Sequence, residues 1–260
     1  MKTVLSKDGT RIAYDVYGEG QLIIMVGGTM NSRVFAPAPG AELLGKYFAV
    51  YDYDRRGRGD SENNQPYDPD IEIEDIAALI EAAGGRAALC GFSAGGALAL
   101  KAAIELGPEK VTKLAMYESP FTSDPVVLKE WQDYGKKLHQ AVKSGEVDDM
   151  VMAFVSLVHA EDQVEALRKD KALWQKLSKL APTLMYDYQI IGPTKIISND
   201  MLAKIETPTL VLCGGDSGPK VIADTEHIAS LIPHGTSKVL PGQSHSVESE
   251  AIASALRNFF

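Results

Sequence analysis

Short apolar runs, each followed by a stretch with helical spacing, recur along this chain. Leu22-Ile23-Ile24-Met25-Val26 shows no alternation of polar and apolar positions, the pattern of a strand with helices on both faces of its sheet. Residues 87–92 have the same character and run into an alanine-rich helical segment, 94–106. Residues 47–53 read as a strand; then Ile73, Ile76, Ala77 and Ile80 recur at helical spacing between Pro69-Asp70, a start signal, and Gly84-Gly85, a stop. Residues 113–117, 209–213 and 238–240 predict the remaining strands, and Ile252, Ala255, Leu256 and Phe259 predict a closing helix against the sheet. At the start of the chain, Lys7-Asp8-Gly9-Thr10 supplies turn residues between Thr3-Val4-Leu5 and residues 12–16, which predicts an antiparallel hairpin at the sheet edge.

Strands alternating with helices imply an α/β fold with a doubly wound, mostly parallel sheet. Between Pro120 and about Asp200 the strand signal disappears and helical patterns take over, broken at Ser144-Gly145, Ala181-Pro182 and Gly192-Pro193. The expected organisation is a core of residues 1–119 and 201–260 with a helical cap, 120–200, inserted into it.

A chain of 260 residues with 45% hydrophobic content can bury a core large enough for one substantial domain. Its formal charge of -9, with Lys and Arg scattered along the sequence, argues against nucleic acid as a partner. No window approaches a membrane-spanning run, and MKTVLSKDGT lacks the apolar core of a secretion signal. A cytoplasmic protein acting on a small molecule is the expectation. Cys90 and Cys213 each end a short apolar run, which predicts buried free thiols in place of a disulfide or a metal pair.

Gly91-Phe92-Ser93-Ala94-Gly95 matches Gly-x-Ser-x-Gly directly after a predicted strand and at the opening of a predicted helix. In that context the sharp turn leaves no room for side chains beside the serine, so glycine is needed on both sides, and the helix aims its first amides at any oxyanion formed there. The plainer reading of Ser93 is a helix cap. A serine hydroxyl becomes a nucleophile only when a base takes its proton. His245, in Pro241-Gly242-Gln243-Ser244-His245 between the last strand and the last helix, falls at the carboxyl edge of the sheet where open α/β sheets bind ligands. His139 and His159 fall in the cap, His227 on a surface helix and His234 in a Pro-Gly turn, so each reads as a surface histidine.

Taken with residues 22–28, the segment Asp54-Arg55-Arg56-Gly57-Arg58-Gly59-Asp60-Ser61 and the strand Pro208-Thr209-Leu210-Val211-Leu212, the serine and histidine segments make the chain resemble the α/β-hydrolase superfamily. The resemblance spans nearly everything but the cap. It implies a structural role for residues 54–61, whose Arg and Asp side chains can satisfy buried backbone groups. It also implies an oxyanion hole built from the amide of Ala94 and a second amide in the loop after the first parallel strand. Where that loop usually reads His-Gly-x, this chain has Gly27-Gly28-Thr29, so Thr29 is the candidate, with Gly28 beside it.

Two carboxylates stand at suitable strand ends to orient the histidine. Glu118 closes the strand before the cap, where some members of the superfamily carry their acid. Asp216 lies in Gly214-Gly215-Asp216-Ser217, one residue short of the more common place, which Ser217 occupies. Glu118 is preferred, because a glutamate closing an apolar strand needs a partner to justify its burial. Asp216 remains the alternative, its plain reading being a turn residue.

The expected chemistry is acyl transfer through an ester at Ser93, with no metal and no cofactor, on small and apolar carboxylic esters or related acyl compounds. Carbon–carbon bond hydrolases, thioesterases and perhydrolases share such machinery, and a binding or receptor module could keep the pocket without turnover. Trp131, Met152, Phe154, Trp174, Met185 and Tyr186 of the cap are available to line an apolar pocket above Ser93, although cap helices need such residues for their own packing as well.

Overall fold

In the computed structural model, which describes all 260 residues, the apolar runs become the centre of one eight-stranded sheet. The strands are β1 (Lys2–Leu5), β2 (Arg11–Tyr17), β3 (Leu22–Val26), β4 (Ala49–Tyr53), β5 (Ala87–Phe92), β6 (Val111–Tyr117), β7 (Thr209–Gly214) and β8 (Gly235–Leu240). Their spatial order is β1-β2-β4-β3-β5-β6-β7-β8. The β1 and β2 hairpin pairs antiparallel at one edge, and every pairing from β4 to β8 is parallel. All five residues of β3 are buried, as are all six of β7. Their unbroken apolar sequence follows from burial on both faces.

Helices α1 (Ala41–Leu44), α2 (Pro69–Ala82) and α3 (Ala94–Lys110) connect the early strands. Between β6 and β7 come α4 (Pro125–Ser144), α5 (Val147–Val158), α6 (Glu161–Lys169), α7 (Lys171–Leu180), α8 (Leu184–Ile191) and α9 (Asn199–Leu202); α10 (Pro219–Leu231) and α11 (Ser249–Arg257) complete the chain. Alternate residues of the strands divide the core in two. Ile24, Leu89 and Met116 pack with α2, α3 and α10, whereas Ile23, Met25 and Ala88 pack with α1 and α11. Cys90 belongs to the second layer, and both cysteines are free and fully buried.

The punctuation read from the sequence has physical counterparts. Asp68 caps α2 by accepting the Asp70 amide at 2.9 Å, with Pro69 in the first turn. Asp124 caps α4 in the same way. The helix expected over 94–106 does end there in its regular part: Gly107 takes a φ of 72° before Pro108 and a short continuation.

Three strand starts differ by two residues or more: β6 begins at Val111, two residues before Lys113, and the others are β4 and β8. β4 begins at Ala49, because Tyr47 is still held in the preceding turn by its amide to Leu44 O at 2.9 Å. β8 begins at Gly235, three residues before its apolar end. Its pairing with β7 runs the full length from Thr209 opposite Gly235, and as the edge strand it carries exposed Thr236, Ser237 and Lys238, polar side chains that discourage pairing with another chain. No helix is long and apolar enough to cross a membrane.

Candidate active site

The turn from β5 into α3 holds Ser93 at φ 52° and ψ -121°, a conformation that costs on the order of 1–3 kcal/mol for a side-chain-bearing residue and persists only where its surroundings enforce it. The enforcement is visible. Ser93 donates its amide to Tyr117 O on β6 at 2.9 Å. A methyl group on Gly91 would stand 2.4 Å from Gly95 O, and one on Gly95 would stand 2.1 Å from Val26 O and 2.6 Å from Gly27 O. Both glycines of the motif are therefore fixed by contact with backbone. Ala94, buried, is the first residue of α3, so the helix begins immediately beside the serine.

The loop after β3 lies against this turn. A methyl group on Gly28 would come within 3.3 Å of Ser93 Cβ and 2.9 Å of Phe92 O. Thr29 follows, half-buried, and Met30 takes a φ of 58°. The structure thus brings Gly28, Thr29 and Ala94 to the serine.

His245 sits in the loop between β8 and α11. Its Nδ1 is 2.7 Å from Glu118 Oε2. Since an ionised carboxylate only accepts, Nδ1 donates in this contact, and in the neutral imidazole Nε2 is then the acceptor. The imidazole is 65% exposed and its carboxylate partner only 6%. Ser93 and His245 line one cleft; the hydrogen bond between them is not made in this geometry, and contacts of this kind commonly tighten only once substrate is held.

Glu118, directly after β6, is the third residue here with a left-handed backbone, at φ 46°. Its amide donates to Leu212 O at 2.8 Å, which fastens it between β6 and β7. Oε1 accepts the Gly214 amide at 3.1 Å and the Ser217 hydroxyl. Burial pushes the carboxyl toward its neutral form, but hydrogen bonds from His245, Ser217 and the Gly214 amide outweigh it and hold its pKa below the usual value.

Asp216 is exposed, and its backbone amide rather than its side chain meets the histidine loop, at Gln243 O, 2.8 Å away. Of the two carboxylates considered, only Glu118 touches His245.

Three contacts that sequence reasoning missed hold this arrangement. Ser217 stands where an acid would be more common and instead donates to Glu118, just past the end of β6. Tyr117 donates its hydroxyl to Ser244 O at 2.5 Å, next to His245. Gly214 approaches Gln243 so closely that a methyl group would sit 2.2 Å from its carbonyl. The signal for Gly214 was present in the sequence, in a glycine ending an otherwise apolar strand.

The cleft encloses about 350 Å³. Its walls are the Gly27, Gly28 and Thr29 loop, the Ala38-Pro39 segment, the serine turn, the His245 loop, and Phe154 and Val158 from α5. No Lys, Arg, Asp or Glu lines it. Of the six large residues of the expected cap, Phe154 alone reaches the cleft. Trp131 packs with Tyr134 and Tyr188 and donates to Gly192 O, Trp174 donates to Asp148, and Tyr186 stacks on Tyr67 with ring centres 3.6 Å apart. These aromatics knit helices to one another and to the sheet domain. His139, His159, His227 and His234 are all exposed, away from Ser93.

A parallel sheet whose central strand ends in a strained serine, with a carboxylate-bound histidine at the same edge, defines the α/β-hydrolase class of fold. The sequence pattern of the Alpha/beta hydrolase family matches residues 22–255, and the chain belongs to that family. An alpha/beta hydrolase from Sphaerobacter thermophilus has 37% identity, with both chains covered completely and a TM-score of 0.88. A thermophilic esterase from Thermogutta terrifontis shares the fold at 20% identity, with a TM-score of 0.71 over 99% of this chain and 97% of its own. A meta-cleavage product hydrolase from Pseudomonas fluorescens does so at 19% identity, with a TM-score of 0.65 over 99% and 94%.

Proposed function

We propose that this protein is a serine hydrolase that cleaves small, uncharged, apolar carboxylic esters through an acyl-enzyme at Ser93. In this reading His245 Nε2 takes the Ser93 proton as the hydroxyl attacks the carbonyl carbon, and Glu118 holds the imidazole tautomer and stabilises the imidazolium. The amides of Ala94 and Thr29, with Gly28 beside Thr29, receive the developing oxyanion. The imidazolium then protonates the departing alcohol, and the same histidine activates water to release the acid. The reaction requires neither metal nor cofactor, and its partner is a small molecule, not a nucleic acid or a membrane. Helices α4 to α9 act as the cap, with α5 forming the roof of the cleft.

The observation that carries the reading is the 2.7 Å contact of His245 Nδ1 with Glu118 Oε2 in the cleft that also holds the strained Ser93. The substrate class rests on the walls: an ionised acyl chain would be desolvated there without a counter-charge, whereas a short alkyl chain meets Phe154, Val158 and Pro39. A series of p-nitrophenyl esters of increasing length, with Ser93→Ala as control and a fluorophosphonate to label the serine, tests it. Short alkyl esters should turn over, a hemisuccinate ester should be at least about tenfold poorer, and Ser93→Ala should lose both turnover and label. Folded protein that neither labels nor hydrolyses would overturn the proposal. Labelling without hydrolysis of these esters would keep the serine nucleophile, overturn the short-alkyl-ester class, and redirect the substrate to a carbon–carbon bond or a narrow natural ester.

A further inference from the structure

Two buried arginines stand behind the loop that carries Gly28 and Thr29. Arg55 Nη1 is 3.3 Å from Gly27 O, and Arg58 Nη1 is 2.6 Å from Gly28 O. Each guanidinium is 1% exposed, so its charge must be matched within the protein. Arg55 makes a two-pronged pair with Glu72 of α2, at 2.7 and 2.8 Å. The other carboxylate comes from α8. Asp187, 2% exposed, accepts from Arg55 Nη1 at 2.7 Å and from Arg58 Nη2 at 2.8 and 2.9 Å. Two cations and two anions thus form a neutral, buried cluster, and Asp187 is the member shared by both arginines.

We infer that Asp187 is a positioning residue for the oxyanion loop: by fixing Arg55 and Arg58 it holds the Gly27 and Gly28 carbonyls back, and so aims the following amide at the Ser93 cleft. The inference rests on the proposed serine chemistry for its kinetic consequence, but its structural half stands alone. The peptide plane that carries Gly28 O also carries the Thr29 amide on its opposite side. Pulling the carbonyl toward Arg58 therefore turns that N–H away from Arg58. The helical segment between β6 and β7 in this way contributes to the loop facing the serine without touching substrate. Asp187 is remote from its partners in sequence and makes no contact with the cleft, so this role is separate from wall-building by Phe154 and Val158.

Two variants test the inference. Asp187→Asn keeps the shape of the side chain and leaves two arginines against one carboxylate. Arg58→Lys keeps the charge and loses the planar fork that reaches both Gly28 O and Asp187. Amide hydrogen exchange is followed across the whole chain, together with steady-state hydrolysis of a short p-nitrophenyl ester. Exchange over residues 27–31 should quicken about tenfold or more in both variants while residues 93–97 stay within about twofold. The kcat should fall roughly tenfold to a hundredfold, less than for outright deletion of an oxyanion donor, with KM within about twofold.

Unchanged exchange over residues 27–31 in folded Asp187→Asn overturns the inference, as does acceleration spread evenly over the chain, which would mark a merely structural ion pair. If Asp187→Asn fails to fold, Arg58→Lys decides by the same two patterns. Failure of the wild-type protein to label with a fluorophosphonate would instead overturn the proposed function, and the exchange pattern would still decide the positioning of the loop.

Discussion

Replacing Glu118 by glutamine preserves the length and shape of the side chain and removes its charge, so the consequence can be worked out from its three hydrogen bonds. Oε1 faces two donors, the Gly214 amide and the Ser217 hydroxyl, and Oε2 faces the single Nδ1 of His245. An amide has one oxygen and one NH2. With its NH2 toward Gly214 and Ser217 it would oppose the buried Gly214 amide, which cannot reverse its role even though the Ser217 hydroxyl can turn to accept. With its NH2 toward His245 it also opposes one donor, but the imidazole can relieve that by shifting its proton to Nε2.

The second arrangement wins, and it turns the histidine's proton toward Ser93. A nitrogen that already carries a proton cannot take one from the serine. The expected loss in kcat is about 10⁴-fold, the size known for the same tautomer error in serine proteases, or about 5.5 kcal/mol of transition-state stabilisation. Steady-state hydrolysis of p-nitrophenyl butyrate by folded Glu118→Gln, with circular dichroism as a check on the fold, measures it. Exposed Asp216, changed to asparagine, should stay within about twofold of wild type, as surface substitutions generally do. Glu118→Gln within tenfold of wild type, or a larger loss from Asp216→Asn, would refute the reasoning.

Ser217→Ala removes one hydroxyl donor from Glu118 but leaves the Gly214 amide, so the rate should drop by about tenfold, the worth of one hydrogen bond to a charged group; a loss as large as that of Glu118→Gln would show that Ser217 does more than support it. Asp52 is 1% exposed, and burial pushes its pKa up to about 6, helped by Asp54 and Asp15. Between its unfolded value near 4 and that pKa the folded protein binds the extra proton, so stability declines as pH rises through this window, by up to about 3 kcal/mol. Asp52→Asn, whose carbonyl can still accept the Ala38 amide, should therefore stabilise the protein at pH 8 and scarcely at pH 4. Urea midpoints at the two pH values check this, and an equal gain at both would contradict it. Gly95→Ala would drive a methyl group into Val26 O and Gly27 O, both backbone, at a cost of about 3 kcal/mol or more; an unchanged melting temperature would show that the elbow yields more easily than its packing implies.

The parts of this molecule legible in its sequence are those governed by local rules. Unbroken apolar runs mark the central strands because two-sided burial removes alternation, and Ser93 shows itself because its turn requires Gly91 and Gly95. His245 and Glu118 are legible as polar residues at strand ends on one edge of the sheet. The buried ion pairs are not. Glu72 and Asp75 of α2 are each 1% exposed, among isoleucines at helical spacing, and their partners are Arg55 and Arg56. Acids at the register of an apolar helix face were the available sign.

Asp187 gave no such sign, because its partners lie far away in the chain and only tertiary packing joins them. The same limit applies to the aromatic residues between β6 and β7. Periodicity places Trp131 and Phe154 on apolar helix faces, but which face covers a neighbouring helix and which covers a cleft depends on how the helices cross. The polar start of the edge strand β8 leaves no mark in the sequence for a related reason: its first residues gain their place from pairing with β7, not from burial.

The two cysteines give this protein an internal clock for its own opening. Cys90 lies on β5 in the layer beneath α1 and α11, and Cys213 lies on β7, where its thiol meets Thr225 of α10 on the other face of the sheet. Both are fully buried, and burial raises the pKa of each thiol, so neither presents a reactive thiolate while the helices stay docked. A thiol reagent in solution therefore counts departures of the helices from the sheet, one face through Cys90 and the other through Cys213. Mass spectrometry of the two modified peptides would tell whether the two layers of the core come apart together or in turn.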